Sequence, residues 1–341
     1  MQTINPSNIR VHIYNKAVLQ YTLGGLLYTP AIRENTADII LDRKYAHLHA
    51  LALCLEDSIQ ESAVGDAEKH IEVTFAELQK AVDNGTGTAA HFPSLFIRVR
   101  TPEQISRVYD RIGNSDLLTG FILPKFDSTN AEKYISELTK INSLNSKPVY
   151  AMPIIESGRV LDIMTRHDEL KTIKSAVDSI SDLILNIRVG GNDFCNVYGL
   201  RRHIDRTIYD VSVIRDVLTD IINVFGIDYV VSGPVWEYFS NGTDNRWETG
   251  LRNELRMDRL NGFIGKTAIH PSQLHVIDDE MKVIRSDYQD AFNIINWDNS
   301  TLSVSKSNGG NRMNEQKVHL KWAEKTLILA SIYGIREDIV Q

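Results

Sequence analysis

Short runs of apolar and β-branched residues recur along most of the chain and alternate with longer stretches of mixed polarity. Each run has about four to seven residues, the length of a strand that is buried on both faces. The stretches between them have about 20 to 40 residues, enough for a crossover helix and its loops. The runs are 25–29, 49–55, 95–99, 120–124, 149–155, 183–189, 229–232 and 263–269. They predict eight parallel strands joined by helices.

The stretches between the runs carry the period of an amphipathic helix. In 131–144, the residues Tyr134, Ile135, Leu138 and Ile141 recur at spacings of three and four, and 212–225 repeats this pattern. Strands that alternate with helices predict a parallel sheet, and eight such units predict a closed (β/α)8 barrel.

A doubly wound open sheet is the alternative α/β architecture. It normally carries a glycine-rich phosphate-binding turn after its first strand. Here Tyr28-Thr29-Pro30-Ala31-Ile32 occupies that place, so we favour the barrel.

We divide the chain into three parts. Residues 25–293 are predicted to form an α/β domain with the (β/α)8 TIM barrel, and residues 1–24 an N-terminal arm. Residues 294–341 begin with a stretch rich in Asn, Ser and Gly, followed by a predicted helix over about 315–333. We expect this C-terminal loop and helix to act as a lid or an oligomerisation contact.

Composition and charge narrow the class of protein. The 341 residues are 43% hydrophobic and 24% charged, which excludes disordered and collagen-like chains. The net charge of −7 argues against a nucleic-acid partner, which would favour a basic face.

The number of cysteines and the length of the apolar stretches indicate the cellular compartment. Cys54 and Cys195 are far apart in the sequence and predict two buried thiols rather than a disulfide. No stretch reaches about 18 apolar residues, and the first ten residues lack the apolar core of a secretion signal. We therefore expect a cytoplasmic protein with no membrane partner.

Charged residues and glycines gather where the predicted strands end. In a barrel of this kind the active site lies at the carboxyl ends of the strands. The residues at these ends are Glu56, Asp57, Arg98, Lys125, Glu156, Gly190, Gly191 and Asp193. Their shared position at one end of neighbouring strands predicts a single functional site.

Glu156 and Asp193 are the predicted metal ligands. They follow the fifth and sixth strands, which are neighbours in a barrel, so their carboxylates can approach within about 5 Å and share one cation. Two carboxylates, with water and substrate oxygens, are the usual protein share of a Mg²⁺ site, and the lack of nearby Cys or His argues against zinc. In the alternative interpretation, each is an exposed loop acid or a helix N-cap.

Arg98, Glu56 and Asp57 are the candidate catalytic residues. Arg98 presents a rigid fork for a carboxylate or carbonyl oxygen of the substrate, and it can also form a salt bridge with Glu56. Glu56 and Asp57 would orient Arg98 or accept hydrogen bonds from metal-bound water. Because side chains alternate along a strand, we expect only one of these two acids to face inward, namely Glu56.

Arg98, Lys125, Gly190 and Gly191 are the candidate substrate-binding residues. The two glycines allow close approach of the backbone, whose N–H groups can bind an anion, or they form only a tight turn. Lys125 binds an anion or pairs with a neighbouring acid. A Schiff-base route through Lys125 or Lys266 remains open.

The segments at the strand ends resemble those of the HpcH/HpaI aldolase and citrate lyase β-subunit family. The resemblance spans about 26–273 and looks closest to the divergent branch found near tellurite-resistance and stress genes. The similar segments are Leu-Glu-Asp-Ser at 55–58, Ile-Arg-Val at 97–99, Leu-Pro-Lys at 123–125, Ile-Glu-Ser at 155–157, Gly-Asn-Asp-Phe at 191–194, Gly-Leu-Arg-Arg at 199–202 and Gly-Lys-Thr-Ala-Ile-His-Pro-Ser-Gln at 265–273.

This resemblance implies a (β/α)8 barrel that assembles as a homo-oligomer, a trimer or a hexamer. It implies a carbon–carbon lyase or aldolase acting on a 3-hydroxy acid or its acyl-CoA thioester through a metal-stabilised enolate. It further implies that Glu156 and Asp193 bind Mg²⁺ and that Arg98 binds a substrate oxygen.

Two other functions remain open. The same metal site suits oxaloacetate- or phosphoenolpyruvate-type chemistry. The unusual C-terminal segment suits a non-catalytic, ligand-binding subunit of a stress or biosynthetic complex.

The chain departs from the family pattern at two places. The citrate lyase pattern has an aspartate after the seventh strand, where Ser232 stands here. The segment 309–315 also differs from the lid of the family.

Overall fold

The computed structural model describes residues 15–113, 115–240, 242–298 and 301–338. The described residues form two compact units, one within 23–277 and the other within 15–22 and 278–338. The units therefore divide after residues 22 and 277, whereas the sequence predicted divisions after residues 24 and 293. Most of the predicted N-terminal arm, residues 1–14, lies outside the described residues.

The larger unit is built around a parallel barrel. Its strands are β1 (Gly25–Pro30), β2 (Ala50–Cys54), β3 (Ser94–Arg98), β4 (Leu118–Leu123), β5 (Tyr150–Ile155), β6 (Ile187–Val189), β7 (Val231–Ser232) and β8 (Lys266–Ala268). Their order in the sheet is β7-β6-β5-β4-β3-β2-β1-β8. A parallel bridge between Gly233 and Lys266 joins the two ends of this sheet, which confirms the predicted (β/α)8 fold class.

The helices of the chain follow the predicted alternation. In chain order they are α1 (Lys16–Thr22), α2 (Thr36–Leu41), α3 (Val64–Asp83), α4 (Gln104–Arg111), α5 (Ala131–Asn142), α6 (Arg166–Ser179), α7 (Gly191–Val197), α8 (Ser212–Phe225), α9 (Arg246–Leu260), α10 (Leu274–Met281), α11 (Arg285–Ile295) and α12 (Leu320–Tyr333). In α5 the periodic residues Tyr134, Leu138 and Ile141 are buried, as their spacing predicted, and Ile135 is partly buried. None of the helices in the described parts of the chain is long and apolar enough to cross a membrane.

The smaller unit has its own core, in which Ala291 and Ile294 of α11 pack with Ala323 of α12. Its strands are β9 (Val283–Ile284), β10 (Val304–Lys306), β11 (Met313–Glu315) and β12 (Ile335–Arg336), with β9 parallel to β12 and β10 antiparallel to β11. The sequence predicted a loop where this hairpin lies. Because β11 pairs through residue 315, the terminal helix begins at 320 and not at 315.

A buried cluster of charges lies between α9 and β8. The Lys266 ammonium is 3.0 Å from Glu254 Oε1 and 2.8 Å from Asp258 Oδ2, and none of these side chains is more than 2% exposed. Arg202 pairs with Glu254 at 3.1 Å. The cluster contains two acids and two bases, so its buried charges compensate one another.

Lys266→Met is expected to lower the free energy of unfolding by about 3 kcal/mol, because it leaves the buried Asp258 without a counter-charge, whereas Glu254 keeps Arg202. Lys69→Met is the matched control, since Lys69 forms an exposed pair with Asp66 of the kind that contributes about 0 to 1 kcal/mol. Urea unfolding of both variants gives the comparison. Equal losses in the two variants would contradict the structural role of Lys266.

Candidate active site

A cavity of 390 Å³ lies at the carboxyl ends of the barrel strands. Five of the predicted site residues line it: Asp57, Arg98, Glu156, Gly190 and Asp193. They come from segments that are far apart in sequence, and the barrel brings them together because each follows or ends a parallel strand. The three other predicted residues, Glu56, Lys125 and Gly191, lie beside the cavity and are described below.

Glu156 and Asp193 face each other across Gly190. Glu156 follows β5, and Asp193 lies in the first turn of α7, directly after β6. A Cβ atom placed on Gly190 would lie 2.4 Å from Glu156 Oε2 and 3.1 Å from Asp193 Oδ2. These two distances add to about 5.5 Å, the largest separation that the two oxygens can have. That limit includes the spacing of two oxygens on one divalent ion, which binds each at about 2.1 Å.

The environment of the two acids opposes their ionisation. Burial raises the pKa of Glu156 to about 8, with Arg98 acting against this shift and Asp193 adding to it. Burial also raises the pKa of Asp193, and the nearby charge of Asp57 contributes. A cation between the two carboxylates would offset both effects, so the donor set fits a hard divalent ion.

Glu156 and Asp193 are the two carboxylates that the described residues bring together at this position. Within the described ranges, no group of three or more His, Cys, Asp or Glu side chains is arranged to hold a metal. One or two carboxylates are sufficient for Mg²⁺, which keeps several waters. The metal-binding roles of Glu156 and Asp193 remain a prediction.

Arg98 is the centre of a buried ion network. Its Nη2 atom lies 2.8 Å from Glu56 Oε2 and 3.4 Å from Glu156 Oε1, and its Nη1 atom lies 3.1 Å from Asp57 Oδ2. The guanidinium also lies over the ring of Tyr28, 5.5 Å from its centroid. The predicted salt bridge with Glu56 is therefore present, and the guanidinium is held rigidly at the cavity wall.

The expectation that only one of Glu56 and Asp57 faces the site was wrong, because both contact Arg98. Strand β2 ends at Cys54, and the Ile59 N–H donates to the Glu56 carbonyl at 2.9 Å, so the two acids lie in a turn. Strand alternation does not apply to a turn. Of the two, it is the half-exposed Asp57 that lines the cavity.

Lys125 pairs with acids, which is one of its two predicted roles, and anion binding by Lys125 remains a prediction. Its ammonium is 2.7 Å from Glu56 Oε1 and 3.8 Å from Asp57 Oδ1. Its backbone N–H donates to Glu156 Oε1 at 2.9 Å, from a residue in the left-handed region with φ 49°. Lys125 therefore positions the acids of the site.

The second lysine considered for a Schiff base is Lys266, and the structure does not suit it to that role. It is fully buried with Glu254 and Asp258, and it is not part of the cavity lining. Its pairing leaves no approach for a substrate carbonyl.

Gly190 and Gly191 differ in their surroundings. Gly190 lines the cavity, whereas a Cβ atom on Gly191 would lie 2.8 Å from Pro234 Cβ. Glycine at 191 is therefore explained by close packing against the segment after β7. Anion binding by the backbone N–H groups of these two glycines remains a prediction.

Gly190→Ala is expected to abolish divalent-cation binding, because its methyl group would lie 2.3 Å from Glu156 Cβ and 2.4 Å from Glu156 Oε2. Glu156 would then have to leave its position opposite Asp193. Gly158→Ala is the control, since no atom lies within 4 Å of a Cβ at that position. Isothermal titration with Mg²⁺ compares the two variants. Unchanged binding by Gly190→Ala would contradict the proposed position of the ion.

Two residues of the cavity wall were missed by the sequence analysis, and Arg100, which lies in the loop after β3, has a supporting role. Arg188 and Thr267 line the cavity, and an arginine within the apolar run 183–189 was the signal for the first of them. Arg100 donates to the carbonyl groups of Leu55, Glu56 and Ile59 and thereby holds the turn after β2.

Ser232, which replaces an aspartate of the resembled family, makes a structural contact. It is 1% exposed, and its hydroxyl donates to the Ile264 carbonyl at 2.8 Å. This position therefore supplies no acid to the site. Cys54 and Cys195 are buried and free, as predicted.

Similar solved structures come from Mycobacterium tuberculosis. One is the protein CitE in complex with magnesium, acetoacetate and coenzyme A, with 19% identity, a TM-score of 0.61 and coverage of 91% of this chain and 99% of that chain. Another is a citrate lyase β subunit complexed with oxaloacetate and magnesium, with 19% identity, a TM-score of 0.52 and coverage of 77% and 98%. At this level of identity, the likeness is one of fold. No curated protein sequence matches the chain.

The family itself is shown by a match over nearly the whole chain. Residues 17–335 match the model of the family described as C–C bond lyases of the TIM-barrel fold. This match agrees with the closed barrel and confirms the lyase class that the strand-end motifs indicated. The chain belongs to the family of TIM-barrel C–C bond lyases.

Proposed function

We propose that this lyase cleaves or forms a carbon–carbon bond in a 3-hydroxy acid or its coenzyme A thioester, with Mg²⁺ held by Glu156 and Asp193. The observation that carries the proposal is the pair of carboxylates that face each other across Gly190, beside Arg98 and in one cavity. The similar Mycobacterium tuberculosis proteins support the choice of ligands, since their structures contain magnesium with acetoacetate and coenzyme A or with oxaloacetate.

Arg98 would bind the substrate oxygen on which negative charge develops. Its guanidinium is buried and fixed by Glu56, Asp57 and Glu156, and a fixed cation in a site shielded from water stabilises such charge strongly. Magnesium, when bound, would supply further stabilisation of the same charge as a Lewis acid. A Schiff base is therefore not needed.

Asp57 would accept the proton of the substrate hydroxyl. Partial burial acts to raise its pKa, but contacts with Glu56, Arg98 and Lys125 outweigh burial and hold the pKa of Asp57 below its usual value. Asp57 is therefore an ionised acceptor in the cavity lining. Loss of the proton lets the hydroxyl carbon become a carbonyl as the adjacent carbon–carbon bond breaks. The bonding electrons remain on the other fragment as an enolate, which is then protonated on carbon.

The proposal is tested with purified protein and a panel of 3-hydroxy acids and their coenzyme A thioesters. Mass spectrometry follows the two expected fragments with Mg²⁺, after chelation with EDTA, and after Mg²⁺ is restored. We expect cleavage that is lost on chelation and regained with Mg²⁺. Cleavage that survives chelation, or an adduct that borohydride traps on a lysine, would contradict the metal-dependent route.

A further inference from the structure

Arg188 is a buried cation without an acidic partner. It lies in β6, lines the cavity and is 2% exposed. Its Nη2 atom donates to Thr267 Oγ1 at 2.6 Å, while Nε and Nη1 have no hydrogen-bond partner among the described residues. No ion pair joins it to a carboxylate in the part of the chain that the structure describes. Burying a charge without a counter-charge lowers the stability of the fold. Arg188 therefore does not serve to stabilise the barrel, and a role in binding explains it better.

Two other buried arginines of the larger unit show the contrast. Arg98 is surrounded by Glu56, Asp57 and Glu156, and Arg202 pairs with Glu254. Arg188 has only the neutral hydroxyl of Thr267 and the neighbouring Tyr28, whose own pKa is raised by burial so that it stays neutral. Its positive charge is therefore available to an anion that enters the cavity.

The strand register places Arg188 deeper in the barrel than the acid pair. Arg188 is level with Ile154 of β5, two residues before Glu156. At about 3.3 Å per residue, this difference corresponds to roughly 6.6 Å along the strand. Thr29 also lines the cavity, and its buried hydroxyl lacks a partner. Unused hydrogen-bonding groups thus lie at two points of the cavity wall, on β6 and on β1.

We propose that Arg188 binds a carboxylate of the substrate, so that the enzyme acts on acids that carry a second carboxylate besides the group held at Glu156, Asp193 and Arg98. This inference rests on the proposed function in one respect. The proposed function places the reacting carbon–carbon bond of the substrate beside Glu156 and Asp193. The second carboxylate would accept hydrogen bonds from Nε and Nη1 of Arg188. It would also supply the counter-charge that Arg188 lacks.

Malate and lactate are the matched probes, since they differ only in the second carboxylate. Isothermal titration measures both with the intact protein and with Arg188→Met, with and without Mg²⁺. We expect malate to bind at least about tenfold more tightly than lactate, and this ratio to fall to about one in Arg188→Met. The affinity for Mg²⁺ is expected to stay unchanged in the variant, because Arg188 does not contact the acid pair.

Thermal unfolding separates binding from a structural role. Without ligand, Arg188→Met should unfold at the same temperature as the wild type or at a higher one, because an uncompensated buried charge has been removed. Malate should raise the unfolding temperature of the wild type only. A lower unfolding temperature of the ligand-free variant would overturn the proposal in favour of a structural arginine.

Two binding results would also overturn it. The first is equal affinity of the wild type for malate and lactate. The second is tighter binding of 3-phosphoglycerate than of malate, which would assign the site to a phosphate. If only the proposed function fails, the results differ from these. The protein would then bind no Mg²⁺ and cleave no substrate, but it would still prefer malate to lactate in the titration without metal.

Discussion

Asp193→Asn is expected to abolish tight binding of Mg²⁺ and to reduce turnover by about a thousandfold or more. The change keeps the shape of the side chain but removes the charge of one of only two acids that face each other across Gly190. A thousandfold loss of rate corresponds to a rise of about 4 kcal/mol in the activation free energy. A Lewis-acid ion can lower the activation free energy by several kcal/mol. Isothermal titration measures binding, and single-turnover cleavage of a panel substrate measures the chemical step.

The fold of Asp193→Asn should survive, since the residue is only half-buried and its ionisation is opposed by burial and by Asp57. Asp205→Asn is the matched control, an exposed acid of the same unit that pairs only loosely with Arg206. It should retain both Mg²⁺ binding and turnover. Full turnover in Asp193→Asn would remove this residue from the metal site.

Arg98→Met has the second large effect, a loss of turnover of about a hundredfold to a thousandfold, the range found when one group that stabilises an oxyanion is removed. The free energy of unfolding should also fall, by about 3 kcal/mol, because the buried carboxylates of Glu56 and Glu156 lose their shared counter-charge. Single-turnover kinetics and urea unfolding measure the two effects. Arg98→Lys keeps the charge but not the planar fork, so we expect it to recover stability more than turnover.

Arg246→Met serves as the control, since Arg246 forms an exposed pair with Asp244. It should leave both quantities unchanged. If Arg98→Met retained wild-type turnover on a cleaved substrate, Arg98 would have no role in stabilising the developing charge.

The sequence predicted the barrel because its strands are buried on both faces and therefore read as continuous apolar runs. The same logic placed Glu156 and Asp193 together, since neighbouring parallel strands end at the same rim. Residues that follow β5 and β6 start from the same rim of the barrel, and here the short turn into α7 keeps Asp193 close to Glu156. The end of the barrel that holds the cavity was thus predictable from strand order alone.

Other features depend on contacts that a pattern of polarity does not contain. Both Glu56 and Asp57 contact Arg98 because β2 ends two residues before Glu56. The two acids therefore lie in a turn, where side chains do not alternate as they do along a strand. The hairpin in 304–315 was predicted as a loop, because Asn, Ser and Gly are as typical of a loop as of the turn of a hairpin. Among the described residues Arg188 has no acidic partner, and this feature depends on the folded structure, so the sequence pattern did not predict it.

Glu156 and Asp193 are proposed to share one divalent ion. A crystal grown with Mn²⁺ in place of Mg²⁺ tests it most directly, because the anomalous signal locates the ion independently of the protein atoms. We predict one peak at about 2.1 to 2.3 Å from a carboxylate oxygen of each residue. A peak bound to only one of them, or an ion found elsewhere with no density at this position, would rule out a shared ion.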